Sequence, residues 1–347
     1  MAPLADFILK HVPLPSLPKH LTSYVPGKTP LSTPLEVLPA LGLYLVVVFG
    51  IQAFMKNRPA LKLQYLFQAH NLILSSGSAI LLALIVEEVV PKVWKRGLFW
   101  GMCNQGMWLH SLEFYYMINY YFKYLELLDT VFLAFKKKPL AFLHVFHHSA
   151  TALLCFTQLN GQTSVQWVPI SINLLVHVIM YYYYYATAGG ARIWWKKYLT
   201  TMQIVQFVID LFAVYFGTYS YYAANYWPHL PNLGTCAGTE GAAIFGCVLL
   251  SSYLVLFINF YIQTYKTPAK GKKAIGNGKI TNGSANGWTQ ARVEPFAIHR
   301  EGIRKGPRLT SIALNSHPSS IPQQQDSFPF NTSFIPLKAA YDQIRVV

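Results

Sequence analysis

The segment Leu143-His-Val-Phe-His-His-Ser-Ala150 carries three histidines. His144, His147 and His148 are three and four residues apart, so on a helix they project from one face. Their helix lies within an apolar run, where ionisable side chains are costly and usually functional. Imidazole can transfer a proton, attack as a nucleophile or bind a metal. The segment therefore predicts a reactive site on a buried helix. The structural alternative is a polar cluster that only satisfies its own hydrogen bonds between packed helices.

The composition of the whole chain indicates a membrane protein. Of its 347 residues, 53% are hydrophobic and only 12% are charged, which is about half the charged share of a soluble domain. The formal net charge is +15, but the basic residues lie in short clusters between apolar spans and form no groove or helix stripe for nucleic acid. Their placement fits the positive-inside rule and contact with anionic lipid or an anionic substrate.

Seven apolar segments are long enough to cross a bilayer as helices, which predicts an all-α integral membrane protein with seven transmembrane helices. They run over about residues 35–55, 65–90, 108–135, 140–160, 163–187, 198–222 and 242–265. Pro91 is expected to end the second span, and residues 100–107 are ambiguous. Residues 35–266 thus form the predicted transmembrane domain.

The two ends of the chain differ from this domain. Residues 1–34 contain seven prolines and are predicted to be an extended arm with little helix. Residues 267–347 are predicted to be a basic, mostly disordered tail. Basic clusters follow spans one, three, five and seven, which places the tail in the cytosol and the amino terminus on the far side. The glycosylation sequons at Asn282 and Asn331 are then expected to stay unmodified.

Polar side chains recur at helical spacing on four of the predicted spans, at a similar depth in the cytosolic half of the membrane. They predict a polar chamber that opens to the cytosol, with apolar walls beyond it that suit an acyl chain. In chain order, the candidate residues are Lys123, Glu126, Asp129, His144, His147, His148, Asn173, His177, Tyr181, Gln203 and Gln206.

Some of these residues also have a purely structural interpretation. Lys123 and Glu126 can neutralise each other as an ion pair within one helix, which is compatible with a functional role. The run from Tyr181 to Tyr185 is also typical of an aromatic belt at the membrane interface. Interhelical hydrogen bonding is the simpler interpretation of Gln203 and Gln206.

Four of these patterns together resemble the sequence boxes of the ELO family of very-long-chain fatty acid elongases. Lys123-Tyr-Leu-Glu126-Leu-Leu-Asp129-Thr130 resembles its KxxExxDT box, and His144-Val-Phe-His147-His148 resembles its HxxHH box. The segment from Asn173 to Tyr181 is similar to its third box, and Thr200-Thr-Met-Gln203-Ile-Val-Gln206 resembles its TxxQxxQ box. The four boxes occur in order on successive spans, and the surrounding sequence looks most like the fungal members.

The resemblance implies an endoplasmic reticulum enzyme that condenses a long-chain acyl-CoA with malonyl-CoA to give a 3-ketoacyl-CoA, free CoA and carbon dioxide. The same resemblance implies that these very-long-chain acyl groups are precursors of sphingolipids. It also implies that six of the seven helices form an inverted barrel around an acyl tunnel. No cofactor or metal is expected. The expected partners are acyl-CoA, malonyl-CoA, membrane lipid, the reductases and dehydratase of the elongation cycle, and a second copy of the chain.

A soluble condensing enzyme would use a cysteine as its nucleophile. Here the only cysteine near the chamber, Cys155, lies about three turns deeper than His144, so histidine is expected to carry this chemistry. In our hypothesis His147 attacks the acyl thioester to form an acyl-imidazole, and His144 orients it or acts as a base. Lys123 and the basic clusters at residues 136–138 and 196–197 would attract the CoA phosphates. Three further side chains would stabilise the enolate formed from malonyl-CoA: His148, Asn173 and His177. A scheme in which the histidines act only as bases in a ternary complex stays open.

Cys103 and Cys236 both fall near the far side of the membrane in this topology. A disulfide between them would persist in an oxidising compartment. Sequence alone cannot show that their Cα atoms lie within bonding distance, so two free thiols are the alternative.

Two other protein classes share features with this sequence. Membrane di-iron desaturases and hydroxylases also contain HxxHH boxes, but their sites need about eight histidines. Only the three histidines of the box and His177 are well placed here, with His70 and His110 on other spans. A seven-span receptor or small transporter could use the charged stripe as a proton or solute path, although paired inverted helix breaks are not evident.

Overall fold

Helices make up all the regular secondary structure in residues 2–11 and 18–266, the part of the chain that the computed structural model describes. The helices are α1 (Pro3–His11), α2 (Lys19–Thr22), α3 (Pro34–Phe54), α4 (Gln64–Arg96), α5 (Leu98–Cys103), α6 (His110–Phe135), α7 (Phe142–Gly161), α8 (Trp167–Ala188), α9 (Lys196–Tyr226) and α10 (Glu240–Tyr261). Short 3₁₀ turns lie at Gln105–Met107 and Ser164–Gln166, and a π-helical turn at Ile262–Lys266 follows α10. The all-α prediction is confirmed for this part of the chain.

Within the described part of the chain, five helical segments are long and apolar enough to cross a bilayer, which makes this a multi-pass membrane protein. They are Pro34–Phe54, Gln64–Arg96, Ser164–Ala188, Lys196–Tyr226 and Glu240–Lys266. Helices α6 and α7, with 26 and 20 residues, have sufficient length but a more polar composition. Charged residues and tyrosines make α6 polar, and the histidines do the same for α7; both helices carry several of the candidate site residues.

The long helices pack side by side in a closed order. Helix α4 packs against α8, α8 against α9, α9 against α10, α10 against α7, α7 against α6, and α6 against α4. Helix α3 packs against α6 and α7 from outside this ring. Apolar side chains such as Leu43, Val46 and Phe212 are exposed on the outer surface, as expected for contact with lipid.

The amino-terminal arm is not the extended segment that its proline content predicts, because α1 and α2 lie within it. Pro3 occupies the first turn of α1, where its missing N–H is not needed, and the next proline is at position 13. The residues between the two prolines are therefore free to form a helix. The backbone N–H groups of Leu4 and Ala5 donate to the Glu87 carboxylate of α4 at 2.8 and 2.9 Å, which anchors the start of α1.

The prediction that Pro91 ends the second span is also wrong, since α4 continues through it to Arg96. A proline removes only one backbone donor, and Pro91 lies in the last two turns of the helix, where the loss affects a single carbonyl. The turn to α5 comes instead at Gly97, whose φ of 85° suits glycine. The ambiguous residues 100–107 belong to α5 and the 3₁₀ turn that follows it.

A disulfide between Cys103 and Cys236 joins the end of α5 to the loop before α10. The backbone N–H of Ala237 also donates to the Cys103 carbonyl at 2.8 Å. Trp167 at the start of α8 donates to the Gly101 carbonyl at 2.8 Å. These contacts connect three segments at one end of the helix ring. The predicted disordered tail and its two sequons lie outside the described residues.

Candidate active site

A cavity of about 240 Å³ lies inside the helix ring and is lined by side chains from the four predicted polar stripes. Its polar lining comprises Asp129 on α6, His144, His147 and His148 on α7, Asn173 and His177 on α8, and Gln203 and Gln206 on α9. Phe67, Phe207, Phe257 and Phe260 contribute apolar surface, and Lys138 and Lys196 also line the cavity. The prediction that the four polar faces converge is confirmed, whereas the chemical roles of these residues stay predictions.

The three histidines of α7 form one cluster within the cavity wall. The rings of His144 and His148 lie 4.6 Å apart between centroids, and those of His147 and His148 lie 5.6 Å apart. One buried ring nitrogen of each, Nε2 of His144 and Nδ1 of His147 and His148, has no hydrogen-bond partner among the described residues. These imidazoles are therefore held mainly by packing.

His177, in contrast, belongs to a buried polar network between α6 and α8. Lys123 Nζ donates to Glu126 Oε1 and to Asn173 Oδ1, both at 2.9 Å. Asn173 Nδ2 lies 3.3 Å from His177 Nε2. His177 Nδ1 lies 3.1 Å from Glu126 Oε1, within ion-pair distance but poorly aligned for a hydrogen bond. All but Asn173 are buried.

The donor and acceptor chemistry of this network indicates the tautomer of His177. An ammonium group can only donate, so the Asn173 atom beside Lys123 is the carbonyl oxygen and its NH₂ group faces His177. His177 Nε2 then accepts, and the proton of a neutral His177 is on Nδ1, facing Glu126. Both nitrogens of His177 are thus directed at protein groups, unlike those of the three histidines on α7.

This network requires a correction to the predicted role of Lys123. The ion pair with Glu126 that the spacing suggested is present. The Lys123 side chain is only 2% exposed and does not line the cavity, so its predicted attraction of the CoA phosphates can act only at a distance and not through direct contact. Glu126 is similarly buried behind Asn173 and His177. The lysines that do line the cavity are Lys138 and Lys196.

Asp129 brings α4 into the site. Its Oδ1 lies 2.8 Å from His70 Nε2, and its Oδ2 accepts a hydrogen bond from the Tyr181 hydroxyl at 2.9 Å. The three side chains are buried and come from three helices, α4, α6 and α8. Both carboxylate oxygens of Asp129 are therefore engaged, although the residue lines the cavity.

The tyrosines from Tyr181 to Tyr184 on α8 lie in different environments. Tyr181 is fully buried, so the interfacial-belt interpretation does not apply to it. It does not line the cavity itself, and its hydroxyl donates to Asp129, which does. Tyr182 is 55% exposed, as expected for such a belt. Tyr183 and Tyr184 line the cavity.

The two glutamines of α9 both line the cavity. Gln203 Nε2 lies 3.4 Å from the sulfur of Met180 on α8, so its interhelical contact is weak. Gln206 Nε2 donates to Asp210 Oδ2 at 3.3 Å within the same helix. The interhelical hydrogen bonding expected for this pair is thus found only at Gln203. Direct contact with a substrate remains open to both.

The di-iron alternative lacks a suitable ligand set in residues 2–11 and 18–266. No group of three or more His, Cys, Asp or Glu side chains is arranged there to hold a metal ion. His70 is bound to Asp129, His177 lies between Glu126 and Asn173, and the remaining histidines of the cavity come from a single helix.

Comparison with known sequences supports the resemblance drawn from the four sequence boxes. The family model of the ELO (GNS1/SUR4) family matches residues 29–273. The chain is 53% identical over 262 residues to "Putative fatty acid elongase 1" of Schizosaccharomyces pombe, covering 75% of this chain and 78% of that one. It is 45% identical over 255 residues to "Putative fatty acid elongase 2" of the same organism, covering 74% and 70%. The chain belongs to the ELO family. The ELO protein "Very long chain fatty acid elongase 2" of Rattus norvegicus is 31% identical over 279 residues, covering 72% and 90%.

The ELO membership confirms the resemblance drawn from the four boxes, including its fungal character. Two residues of this ELO chain that contact the site were missed in the sequence. His70 stands on an apolar span, and an ionisable side chain in that position is a signal of function. Tyr253, which packs against His147, gives no such signal, because it is a single aromatic side chain on a strongly apolar helix.

Proposed function

We propose that this chain is the condensing enzyme of fatty acid elongation, a very-long-chain 3-oxoacyl-CoA synthase. It joins a long-chain acyl-CoA to malonyl-CoA and releases CoA and carbon dioxide. The observation that carries the proposal is the single cavity that His144, His147, His148 and His177 share inside the helix ring. The fatty acid elongase names of the related proteins support the same reaction class.

The geometry favours His147 as the acyl acceptor. A nitrogen of His147 attacks the thioester carbon, the C–S bond breaks, and CoA leaves as the thiol with the proton that the imidazole loses. His177 is less suited to this step, because both of its nitrogens face Glu126 and Asn173. Apolar walls around His147 would keep water from the acyl-imidazole.

The second half-reaction needs a donor where negative charge develops. Malonyl-CoA loses carbon dioxide, its enolate attacks the acyl carbon, and the C–N bond to His147 breaks as the imidazole regains a proton. Asn173 and His148 line the cavity and are the proposed donors to the enolate oxygen. His177 then acts mainly by holding the Asn173 amide, and Gln203, Gln206 and Asp129 complete the polar wall.

Lys138 and Lys196 are the proposed contacts for the CoA phosphates. Both line the cavity, one in the loop between α6 and α7 and the other at the start of α9. Lysine ammonium groups bind phosphate as point charges. The acyl chain would extend from the histidines into the apolar part of the ring. No cofactor beyond the two CoA substrates is proposed.

The proposed setting is the endoplasmic reticulum membrane, with seven crossings, a lumenal amino terminus and a cytosolic carboxyl terminus. The closed order of six helices with α3 outside supports an inverted barrel in which α6 and α7 cross the membrane with the other five. The disulfide at the end opposite Lys138 and Lys196 supports an oxidising compartment on that side. Reductases and a dehydratase of the cycle, and a second copy of the chain, are proposed partners.

Elongation by purified protein tests this function. The full chain in detergent or nanodiscs is given a long-chain acyl-CoA and labelled malonyl-CoA, and the product is identified by mass as a 3-ketoacyl-CoA two carbons longer. His147→Ala should reduce turnover to background while the protein still folds. His229→Ala, which changes an exposed histidine, is the matched control and should turn over like the wild type. Wild-type turnover by His147→Ala would contradict the assignment.

A further inference from the structure

Helix α10 contributes one fully buried polar side chain to the ring interior, Tyr253, which is 1% exposed. None of the four sequence boxes includes this helix. The Tyr253 ring lies 4.6 Å from the His147 ring between centroids, with an interplanar angle of 57°. It is the nearest aromatic ring to His147 among the described residues.

The Tyr253 hydroxyl contacts α7 at His147, the same residue against whose side chain the Tyr253 ring packs. Thr151 Oγ1 donates to the His147 carbonyl at 2.6 Å. The Tyr253 hydroxyl lies 3.0 Å from Thr151 Oγ1 and 3.2 Å from the same carbonyl. Because the Thr151 proton is directed to that carbonyl, the Tyr253 hydroxyl donates to the Thr151 oxygen or to the carbonyl itself. The backbone of His147 therefore fixes the position of the ring that packs on the His147 side chain.

Two further aromatic rings complete the surroundings of the imidazole. Phe257 and Phe207 lie 5.7 and 6.4 Å from the His147 ring, and both also pack against Tyr253 or each other. His147 Nδ1 is buried here and has no hydrogen-bond partner among the described residues. Since no hydrogen bond to Nδ1 orients this ring, aromatic packing must do so.

We propose that Tyr253 is a positioning residue for His147, and that with Phe207 and Phe257 it forms an aromatic enclosure around the imidazole. The enclosure holds the ring where one nitrogen meets the acyl carbon, and it excludes water from the acyl-imidazole. This inference rests on the proposed function of His147 as acyl acceptor. Loss of the enclosure should slow acylation and also divert the acyl group to hydrolysis, giving free fatty acid and regenerated imidazole.

The experiment measures both effects in the full-length purified chain. Acyl-CoA alone is added, and the release of CoA is followed in a single turnover. Malonyl-CoA is then added, and the ratio of free fatty acid to 3-ketoacyl-CoA is measured. The variants are Tyr253→Phe, which keeps the ring, and Tyr253→Leu, which removes it. Tyr215→Leu is the control, because Tyr215 is exposed on α9 and its hydroxyl lies 3.1 Å from Ser251 of α10, away from the cavity lining.

Tyr253→Phe should slow CoA release by roughly five-fold through the lost hydrogen bond. Tyr253→Leu should slow it by about 100-fold, as expected for a misplaced reacting group, and should raise the share of fatty acid. A merely structural tyrosine would leave that product ratio unchanged. Should Tyr253→Leu fail to fold, a wild-type rate and ratio in Tyr253→Phe would overturn the proposal. So would a Tyr253→Leu variant that behaves like Tyr215→Leu.

The controls separate this inference from the proposed function. A wild-type chain that makes no 3-ketoacyl-CoA at all would refute the proposed function. A wild-type chain that elongates but releases CoA only after malonyl-CoA is added would refute the acyl-imidazole, and the enclosure proposal with it.

Discussion

Replacing Lys123 by methionine tests the buried network that holds Asn173 and His177. The Lys123 and Glu126 side chains are 2% and 4% exposed, and their charged atoms lie 2.9 Å apart. Removing one partner of a buried ion pair costs about 3–5 kcal/mol, because the other charge is left uncompensated. At roughly 1.5–2 °C per kcal/mol for a chain of 347 residues, Lys123→Met should melt about 4–10 °C below the wild type.

The double variant Lys123→Met/Glu126→Gln separates stability from activity. It removes both charges, so its melting temperature should return to within about 2 °C of the wild type. The kcat of both Lys123→Met and the double variant should nevertheless be about 100-fold below that of the wild type, since no ammonium group holds the Asn173 oxygen and the amide can turn. KM for acyl-CoA should be unchanged, because Lys123 does not line the cavity.

Melting curves and steady-state kinetics of the purified variants provide the assay. Lys92→Met is the matched control, because Lys92 forms a 2.8 Å pair with Glu88 and is 33% exposed. Exposed pairs contribute at most about 1 kcal/mol. If Lys123→Met melted like Lys92→Met, or if it raised KM for acyl-CoA with kcat unchanged, the network and the revised role of Lys123 would both be wrong.

Three further changes test other parts of the molecule. Changing both Lys138 and Lys196 to alanine should raise KM for acyl-CoA by about 5–10-fold with little change in kcat, as expected for lost binding to a phosphate group; an unchanged KM in steady-state kinetics would remove these lysines from the CoA site. Changing Cys103 and Cys236 to serine should lower the melting temperature and abolish the mobility difference between reduced and unreduced protein on a gel, because the disulfide closes a segment of 133 residues; a variant that melts with the wild type would show that this bond adds no stability. His70→Ala should cost about 1–3 kcal/mol by leaving a carboxylate oxygen on α6 without its donor, and a thermal melt within 1 °C of the wild type would contradict that pairing.

Much of the fold and the site follows from spacing along the chain. The intervals of three and four residues at His144, His147 and His148 predict that these residues share one face, and their position along the predicted span puts them at the same membrane depth as His177. The structure places all four in one cavity. A pattern along one helix is sufficient for such predictions, because the helix geometry itself fixes which side chains share a face.

The errors arise where rotation about a helix axis or pairing between distant segments decides the outcome. Lys123 lies at the expected depth, but its helix turns it toward α8 and away from the cavity. The contact between His70 and Asp129 joins residues 59 positions apart, and no local pattern encodes it. The prediction for residues 1–34 is wrong because it uses only the number of prolines. Their positions leave room for α1 between Pro3 and Pro13.

The acceptor role of His147 is the central claim, and peptide mapping tests it most directly. The purified full-length chain is incubated with a long-chain acyl-CoA in the absence of malonyl-CoA, quenched, digested and analysed by mass spectrometry. An acyl mass on the peptide that contains residues 143–150, localised to His147 and lost when malonyl-CoA is added, is the predicted result. An unmodified peptide from protein that elongates normally, or an acyl group on His177 instead, would contradict the account.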